Sequence, residues 1–88
     1  MRIKGEFILR EMAGEQILVP VGQTALRFNG IIVLQPVAAA IWQGLTQGLD
    51  REALLARVLE RFEVEESVAA ADLDSFLGQL QANGFLEE

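Results

Sequence analysis

A run of four apolar residues, IIVL at positions 31–34, most constrains what this chain can fold into. Side chains alternate between the two faces of a strand, so a strand here carries apolar side chains on both faces. One face can cover the core of an 88-residue chain. Either the segment is an inner strand that is covered on both faces, or it is an edge strand whose backbone groups are open to another chain.

The length and composition predict one globular domain over residues 1–88, since 51% of the residues are hydrophobic. No run reaches the ~18 apolar residues that a membrane span needs. The N-terminal residues are not followed by the apolar stretch of a signal peptide. Cysteine is absent, so disulfides are excluded and the reducing cytoplasm is the expected location.

The residue types that usually carry catalysis are missing, because the chain has no His, Cys or Tyr and no phosphate-binding loop. Only carboxylates remain. Asp72 and Asp74 are two residues apart, so on a helix they point in different directions, and Glu65 and Glu66 also diverge. These pairs form neither an acid–base dyad nor a metal cage. We therefore expect no enzyme activity, no catalytic residue, no cofactor and no metal.

The first third of the chain predicts a β-hairpin. Segments 6–12 and 15–21 are rich in Ile, Leu and Val and are separated by Ala13-Gly14. Pro20 cannot donate a ladder hydrogen bond, so it is expected near a strand end or on an edge.

Two interpretations of residues 22–30 are open. In the first, Asn29-Gly30 forms a type I′ turn between two strands. In the second, the whole segment is an irregular loop held by Leu26 and Phe28. The second is preferred, and residues 31–34 then form the third strand.

The rest of the chain predicts three helices. Pro36 suits the first position of a helix over about 36–46, and Asp50 caps the second helix. The third helix spans about 66–82 and ends at Gly84, after which Phe85 folds back onto the last turn. The order β-β-β-α-α-α predicts an α+β fold that is winged-helix-like: a small three-stranded antiparallel sheet followed by a three-helix bundle.

Charge argues against the DNA binding that such folds often show. Residues 1–35 have a net charge of +1 and residues 36–88 of −7. The third predicted helix has no Lys or Arg, although a DNA-reading helix needs positive charge near phosphates. Nucleic acid is therefore not an expected partner, and winged-helix DNA binding is the less favoured alternative.

The stretch LQPVAAAIWQGL resembles the PqqD-like proteins, which are also called RiPP recognition elements. In that family, Leu-Asn-x-x-Gly/Ala is followed by apolar-Trp-x-x-Leu as the third strand passes into the first helix. Gln35 departs from the usual Asn, and Ala38 from the common Gly. The resemblance continues with an Asp in the first half of the third helix, Asp72, and with the family's apolar-Gly-Leu ending after that helix. The matching positions are Leu34, Gln35, Ala38, Ile41, Trp42, Leu45, Asp72 and Gly84-Phe85-Leu86.

The resemblance implies a function in natural product biosynthesis. Family members are non-catalytic peptide chaperones that bind the leader of a ribosomally made precursor peptide. They present it to a modifying enzyme, often a radical S-adenosylmethionine (radical SAM) enzyme. The leader adds as a strand beside the third strand and lies in a groove against the third helix. Carried onto this chain, the peptide-binding residues are Ile31, Ile32, Val33, Leu34, Asp72, Leu73, Ser75, Phe76 and Gln79.

Two further expectations concern partners. The acidic third helix predicts Lys or Arg in the leader, with charge selecting orientation more than supplying affinity. The alternative to peptide binding is a self-associating scaffold, a homodimer in which residues 31–34 of two copies pair.

Overall fold

The computed structural model describes residues 1–87, in which strands precede three longer helices. This order confirms the predicted α+β class. The elements are β1 Arg2–Ile3, β2 Phe7–Met12, β3 Glu15–Pro20, α1 Gly22–Arg27, β4 Ile32–Leu34, α2 Pro36–Thr46, α3 Arg51–Arg61, α4 Glu66–Ala82 and β5 Leu86–Glu87.

β2 and β3 form the predicted antiparallel hairpin, with Phe7 opposite Pro20 at one end and Met12 opposite Glu15 at the other. Its two-residue turn has positive φ at both positions, +54° at Ala13 and +83° at Gly14. This is the type I′ geometry, whose twist matches that of paired strands. The three-stranded sheet has the order β2-β3-β4. Pro20 is the last residue of β3, as expected, and lies beyond the part of β3 that pairs with β4.

Residues 22–27 form a short helix, α1, so both interpretations of the connector are wrong. The turn residues at the two ends of the segment favour a loop, but Gln, Ala, Leu and Arg between them are good helix formers, and this helix propensity prevails. Leu26 is 82% exposed and does not hold the segment. Phe28 does pack inward, with its ring 5.2 Å from that of Phe85. The buried Thr24 hydroxyl also accepts a hydrogen bond of 2.8 Å from the Glu6 backbone N–H.

A second, two-stranded sheet joins the two ends of the chain and was not predicted. β1 pairs antiparallel with β5, with Arg2 opposite Glu87 and Ile3 opposite Leu86. The Arg2 guanidinium also donates a 2.7 Å hydrogen bond to the Glu87 carboxylate. Strands of two residues carry no periodic pattern, so this pairing depends on the tertiary fold that brings the ends together.

The helix boundaries confirm the predicted caps. α2 and α4 have the expected bounds, and the Asp50 carboxylate accepts a 2.9 Å hydrogen bond from the Ala53 N–H at the start of α3. After α4, Gly84 has φ +77° and the Phe85 N–H donates to the Leu80 carbonyl at 2.8 Å. This is the Schellman geometry, which satisfies the last carbonyls of the helix.

The core lies between the inner face of the three-stranded sheet and the three longer helices. Leu18 of the central strand has no exposed surface, and Trp42 of α2 is 2% exposed, as expected for core packing. The Phe7 ring meets the Trp42 ring edge to face at 5.2 Å. The fully buried side chains are Leu18, Ile41, Leu54, Val58 and Leu73.

Gly78, inside α4, has no heavy atom within 4 Å of the position that a Cβ would take. We expect Gly78→Ala to raise the free energy of unfolding by about 1 kcal/mol, because Ala is the better helix former. Urea denaturation followed by circular dichroism measures the change. Gly84→Ala is the control and should lower stability, since Gly84 has φ +77°. If Gly78→Ala instead lowers the free energy of unfolding, a part of the protein must pack closely against Gly78.

Candidate functional site

β4 is an edge strand. It pairs with β3 on one side, and no other strand of residues 1–87 lies on its other side. The inner-strand interpretation of residues 31–34 is therefore wrong. The edge carries no charged side chain, no bulge and no proline within it, which are the usual means of preventing edge-to-edge association.

The hairpin determines which backbone groups of β3 bond to each neighbour. Residues that flank a two-residue turn form a hydrogen-bonded pair, here Met12 and Glu15. Bonded and non-bonded pairs alternate along an antiparallel ladder. The 3.0 Å bond from the Val21 N–H to the Glu6 carbonyl belongs to the same series. The odd-numbered residues of β3 therefore bond to β2, and the even-numbered ones point toward β4.

The same alternation continues across β4. Gln16 faces Leu34, and Leu18 faces Ile32, so these two pairs hold the hydrogen bonds between β3 and β4. Val33, between them, directs its N–H and C=O away from β3. Among the described residues, no backbone hydrogen bond outside the strand ladders reaches either group. The open edge therefore offers one donor and one acceptor at Val33.

The two apolar faces of β4 have different environments. Ile32 and Leu34 turn toward the core, where Leu34 is 6% exposed. Val33 turns the other way and is 49% exposed. Ile31, which was predicted as the first residue of this strand, lies directly before it and is 58% exposed. The helices cover one face of the strand, and the other face remains exposed in the part of the chain that the structure describes.

An open pocket of about 230 Å³ lies between α2 and α4, starting at Gln35 directly after β4. Four of the five predicted α4 residues line it. They recur at helical spacing on one side of α4. These residues are Asp72, Ser75, Phe76 and Gln79. Leu73 has no exposed surface and belongs to the core cluster.

The opposite wall of the pocket comes from α2, and sequence reasoning did not include it. Val37, Ala38 and Ile41 line this wall. These apolar residues were not among the predicted peptide-binding residues. The available signal was Pro36, which starts α2 directly after β4 and so places its first turn beside the strand end. Gln35 makes no side-chain capping hydrogen bond at the start of α2; it lines the pocket.

The two carboxylates of α4, Asp72 and Asp74, differ in their partners. Asp74 receives two hydrogen bonds from the Arg51 guanidinium of α3, at 2.7 and 2.9 Å. This hydrogen bond lowers the pKa of Asp74 against the opposing effect of desolvation. Asp72 lines the pocket and makes no ion pair within residues 1–87. The charge available to a ligand is therefore the Asp72 carboxylate.

Other kinds of site find no support in the described residues. No group of three or more His, Cys, Asp or Glu there is arranged to hold a metal ion. Within the same residues, no helix is both long enough and apolar enough to span a bilayer.

Taken together, the architecture defines a small winged-helix-like α+β domain whose sheet ends in an open strand beside a pocket of mixed polar and apolar lining. Residues 15–86 match the family model described as coenzyme PQQ synthesis protein D (PqqD). The chain belongs to the PqqD family, which confirms the resemblance seen in its sequence. No curated protein matches the chain.

Two solved structures have the same fold. One is described as TbiB1 in complex with the TbiA(β) leader peptide, with a TM-score of 0.76 and 22% identity, covering 99% of this chain and 95% of that one. The other is lasso peptide synthetase B1 complexed with the leader peptide. Its TM-score is 0.74 and its identity 21%, with coverage of 99% and 96%. At these identities the likeness establishes the fold.

Proposed function

We propose that this protein is a non-catalytic adaptor that binds the leader of a ribosomally synthesised precursor peptide and presents it to a modifying enzyme. The observation that carries the proposal is the pair of outward backbone groups on Val33, next to a pocket. Membership of the PqqD family supports it, as does a fold shared with two proteins whose structures hold leader peptides. Such an adaptor acts in the cytoplasm, where precursor peptides are made.

Binding proceeds by strand addition. The leader forms hydrogen bonds with the Val33 N–H and C=O and extends the sheet by a fourth strand. Leader side chains on the inner face then turn toward the pocket between α2 and α4, where the half-buried Phe76 and Val37 offer apolar contacts. Backbone bonds provide affinity and the pocket provides selectivity, which suits a dissociation constant of about 1 μM.

The direct test is to search for a short peptide gene beside the gene of this chain and to titrate its synthetic leader, labelled with a fluorophore, with the protein. Saturable binding in fluorescence anisotropy, together with exchange protection of the Val33 amide on binding, is expected. Absence of binding, or binding that leaves the Val33 amide unprotected, would contradict strand addition.

The modifying enzyme is proposed to be of the radical SAM class, on the family resemblance alone. Turnover of the full precursor by the neighbouring enzyme should rise when the adaptor is added. An enzyme of another class in that reaction would correct only this part of the proposal.

Charge gives a separate prediction. We expect Asp72→Asn to weaken binding of a Lys- or Arg-containing leader by up to about fivefold, the range of an exposed ion pair. The affinity should also depend less on salt. Titrations between about 50 and 500 mM salt measure both effects.

Asp74→Asn is the matched control for that prediction. It makes the same change in net charge, but its carboxylate is already bonded to Arg51, so the salt dependence should be retained. Equal effects of the two substitutions would mean that only the overall charge of the domain matters and that Asp72 does not contact the leader.

The open edge also supports a second candidate, self-association through β4. Two copies can pair their Val33 groups across a two-fold axis. Sedimentation velocity at increasing protein concentration detects the dimer, and the leader should dissociate it because both use the same edge. A dimer that persists at saturating leader would exclude pairing through β4.

A further inference from the structure

The outer face of the three-stranded sheet is mostly apolar, and no helix of residues 1–87 covers it. Strand register assigns its members, since directly opposite residues share a face. Ile17 of this face is 7% exposed but does not belong to the core cluster. The face consists of Ile8, Arg10 and Met12 of β2, Glu15, Ile17 and Val19 of β3, and Val33 of β4.

The geometry of the edge determines what an added strand meets on this face. A leader residue that exchanges both backbone hydrogen bonds with Val33 lies directly opposite it and shares its face. Its side chain therefore packs beside Val33 on the outer face, away from the pocket. Leader residues two positions along remain on the same face, next to the exposed Ile31.

Charge divides the two faces of the added strand. The outer face has one charge of each sign, Arg10 on β2 and Glu15 on β3, and neither lies on the edge strand. Ile31 and Val33 next to the edge are uncharged. On the inner side, the pocket holds the Asp72 carboxylate. A basic leader residue therefore gains attraction only at inner-face positions. At outer-face positions it gains no ion pair and leaves Val33 and Ile31 uncovered.

We propose that the leader segment bound by this protein is apolar on both faces, with β-branched or aromatic residues at the positions facing Val33 and Ile31. Its Lys or Arg is restricted to the face toward the pocket. The bound segment is thus a run of at least three consecutive apolar residues flanked by charge, not an alternating apolar–polar strand. This inference rests on the proposed strand addition at β4 and adds the substrate class to it.

The physical basis is cross-strand packing. An aromatic or β-branched pair on one face of a sheet stabilises the strands relative to a small pair. Val33 is 49% exposed and Ile31 58%, so both have apolar surface for a partner to cover. Each outer-face contact is worth about a two- to fivefold gain in affinity, and two such contacts discriminate leaders about tenfold.

The test is a yeast-displayed library of random 12-residue peptides, selected for binding to the purified protein. Enriched peptides are expected to contain three or more consecutive apolar residues. Their basic residues should be spaced by even numbers of positions, so that all of them lie on one face of the added strand. Bound peptides that alternate apolar and polar residues would overturn this inference and leave strand addition intact. If none of the enriched peptides protects the Val33 amide from exchange, strand addition itself fails, and this inference fails with it.

A matched pair of variants tests whether a leader side chain packs against Val33 on the outer face. Val33→Thr keeps the β-branched shape and the backbone N–H but makes the outward side chain polar. It should weaken enriched peptides with an outward Val or Ile about two- to fivefold and leave those with an outward Thr nearly unchanged. Val19→Thr makes the same change on the same face, beyond the residues of β3 that pair with β4, and should have no effect. Equal responses of both peptide classes to Val33→Thr would overturn the inference.

Discussion

Replacement of Val33 by proline should lower the affinity for the leader by about tenfold or more while the domain stays folded. Proline has no N–H, so the edge loses a donor, and one hydrogen bond contributes about 0.5–1.5 kcal/mol. Its ring also hinders the approach of a new strand. The Val33 N–H points away from β3 in the deduced ladder, and no backbone bond outside the ladders of residues 1–87 reaches it, so the protein's own ladder is unaffected. Anisotropy titration and thermal unfolding measure the two quantities.

Two control variants separate the backbone from the side chain. Val33→Ala keeps the N–H and removes most of the side chain, so binding should weaken only a few-fold. Ile32→Pro removes an N–H that bonds to Leu18 in the deduced ladder and should destabilise the fold itself. If Val33→Pro unfolds the domain while Ile32→Pro is tolerated, then Val33 and not Ile32 directs its backbone N–H toward β3, contrary to the deduced ladder. Unchanged leader affinity in a folded Val33→Pro protein would exclude strand addition at β4.

The largest expected loss of stability follows from Leu18→Ala. Leu18 has no exposed surface and lies on the central strand, opposite Leu9 and Ile32. Large-to-small substitutions at such sites cost about 2–5 kcal/mol. The total stability of a domain this size is about 4–13 kcal/mol at typical values per residue, so a large part of it is removed. Urea denaturation followed by Trp42 fluorescence is the measurement.

Ile8→Ala is the matched control on the neighbouring strand. Ile8 is 47% exposed and lies on the outer face of the sheet, so its truncation leaves no enclosed cavity. The loss should stay near 1 kcal/mol or below, the typical effect of a change away from the core. Similar losses for the two variants would mean that the outer face is packed as tightly as the inner one.

Most of the regular structure was predictable because its signals are local. The Ala13-Gly14 turn, Pro36 at the start of α2, the Asp50 cap and the Gly84 stop all act within a few residues. The connector at 22–27 was predicted wrongly, because its flanking turn signals were given more weight than helix propensity. The β1–β5 pair joins residues more than 80 positions apart, and two-residue strands leave no pattern to detect.

The candidate site was predictable in part. Asp72, Ser75, Phe76 and Gln79 follow from helical spacing combined with the family resemblance, and the structure brings them to one pocket. Leu73 was included with them but is buried in the core. The α2 wall was missed, because Val37 and Ile41 have the same apolar character whether they line a pocket or fill a core.

The sequence by itself determined that residues 31–34 are apolar on both faces, since side-chain parity along a strand is a local property. It also determined the hairpin turn from which the alternation of hydrogen bonds begins. Only the tertiary structure decided that β4 lies at the edge of the sheet. Strand order depends on which segments pack together over long distances, and the same four residues could equally occupy a covered central strand.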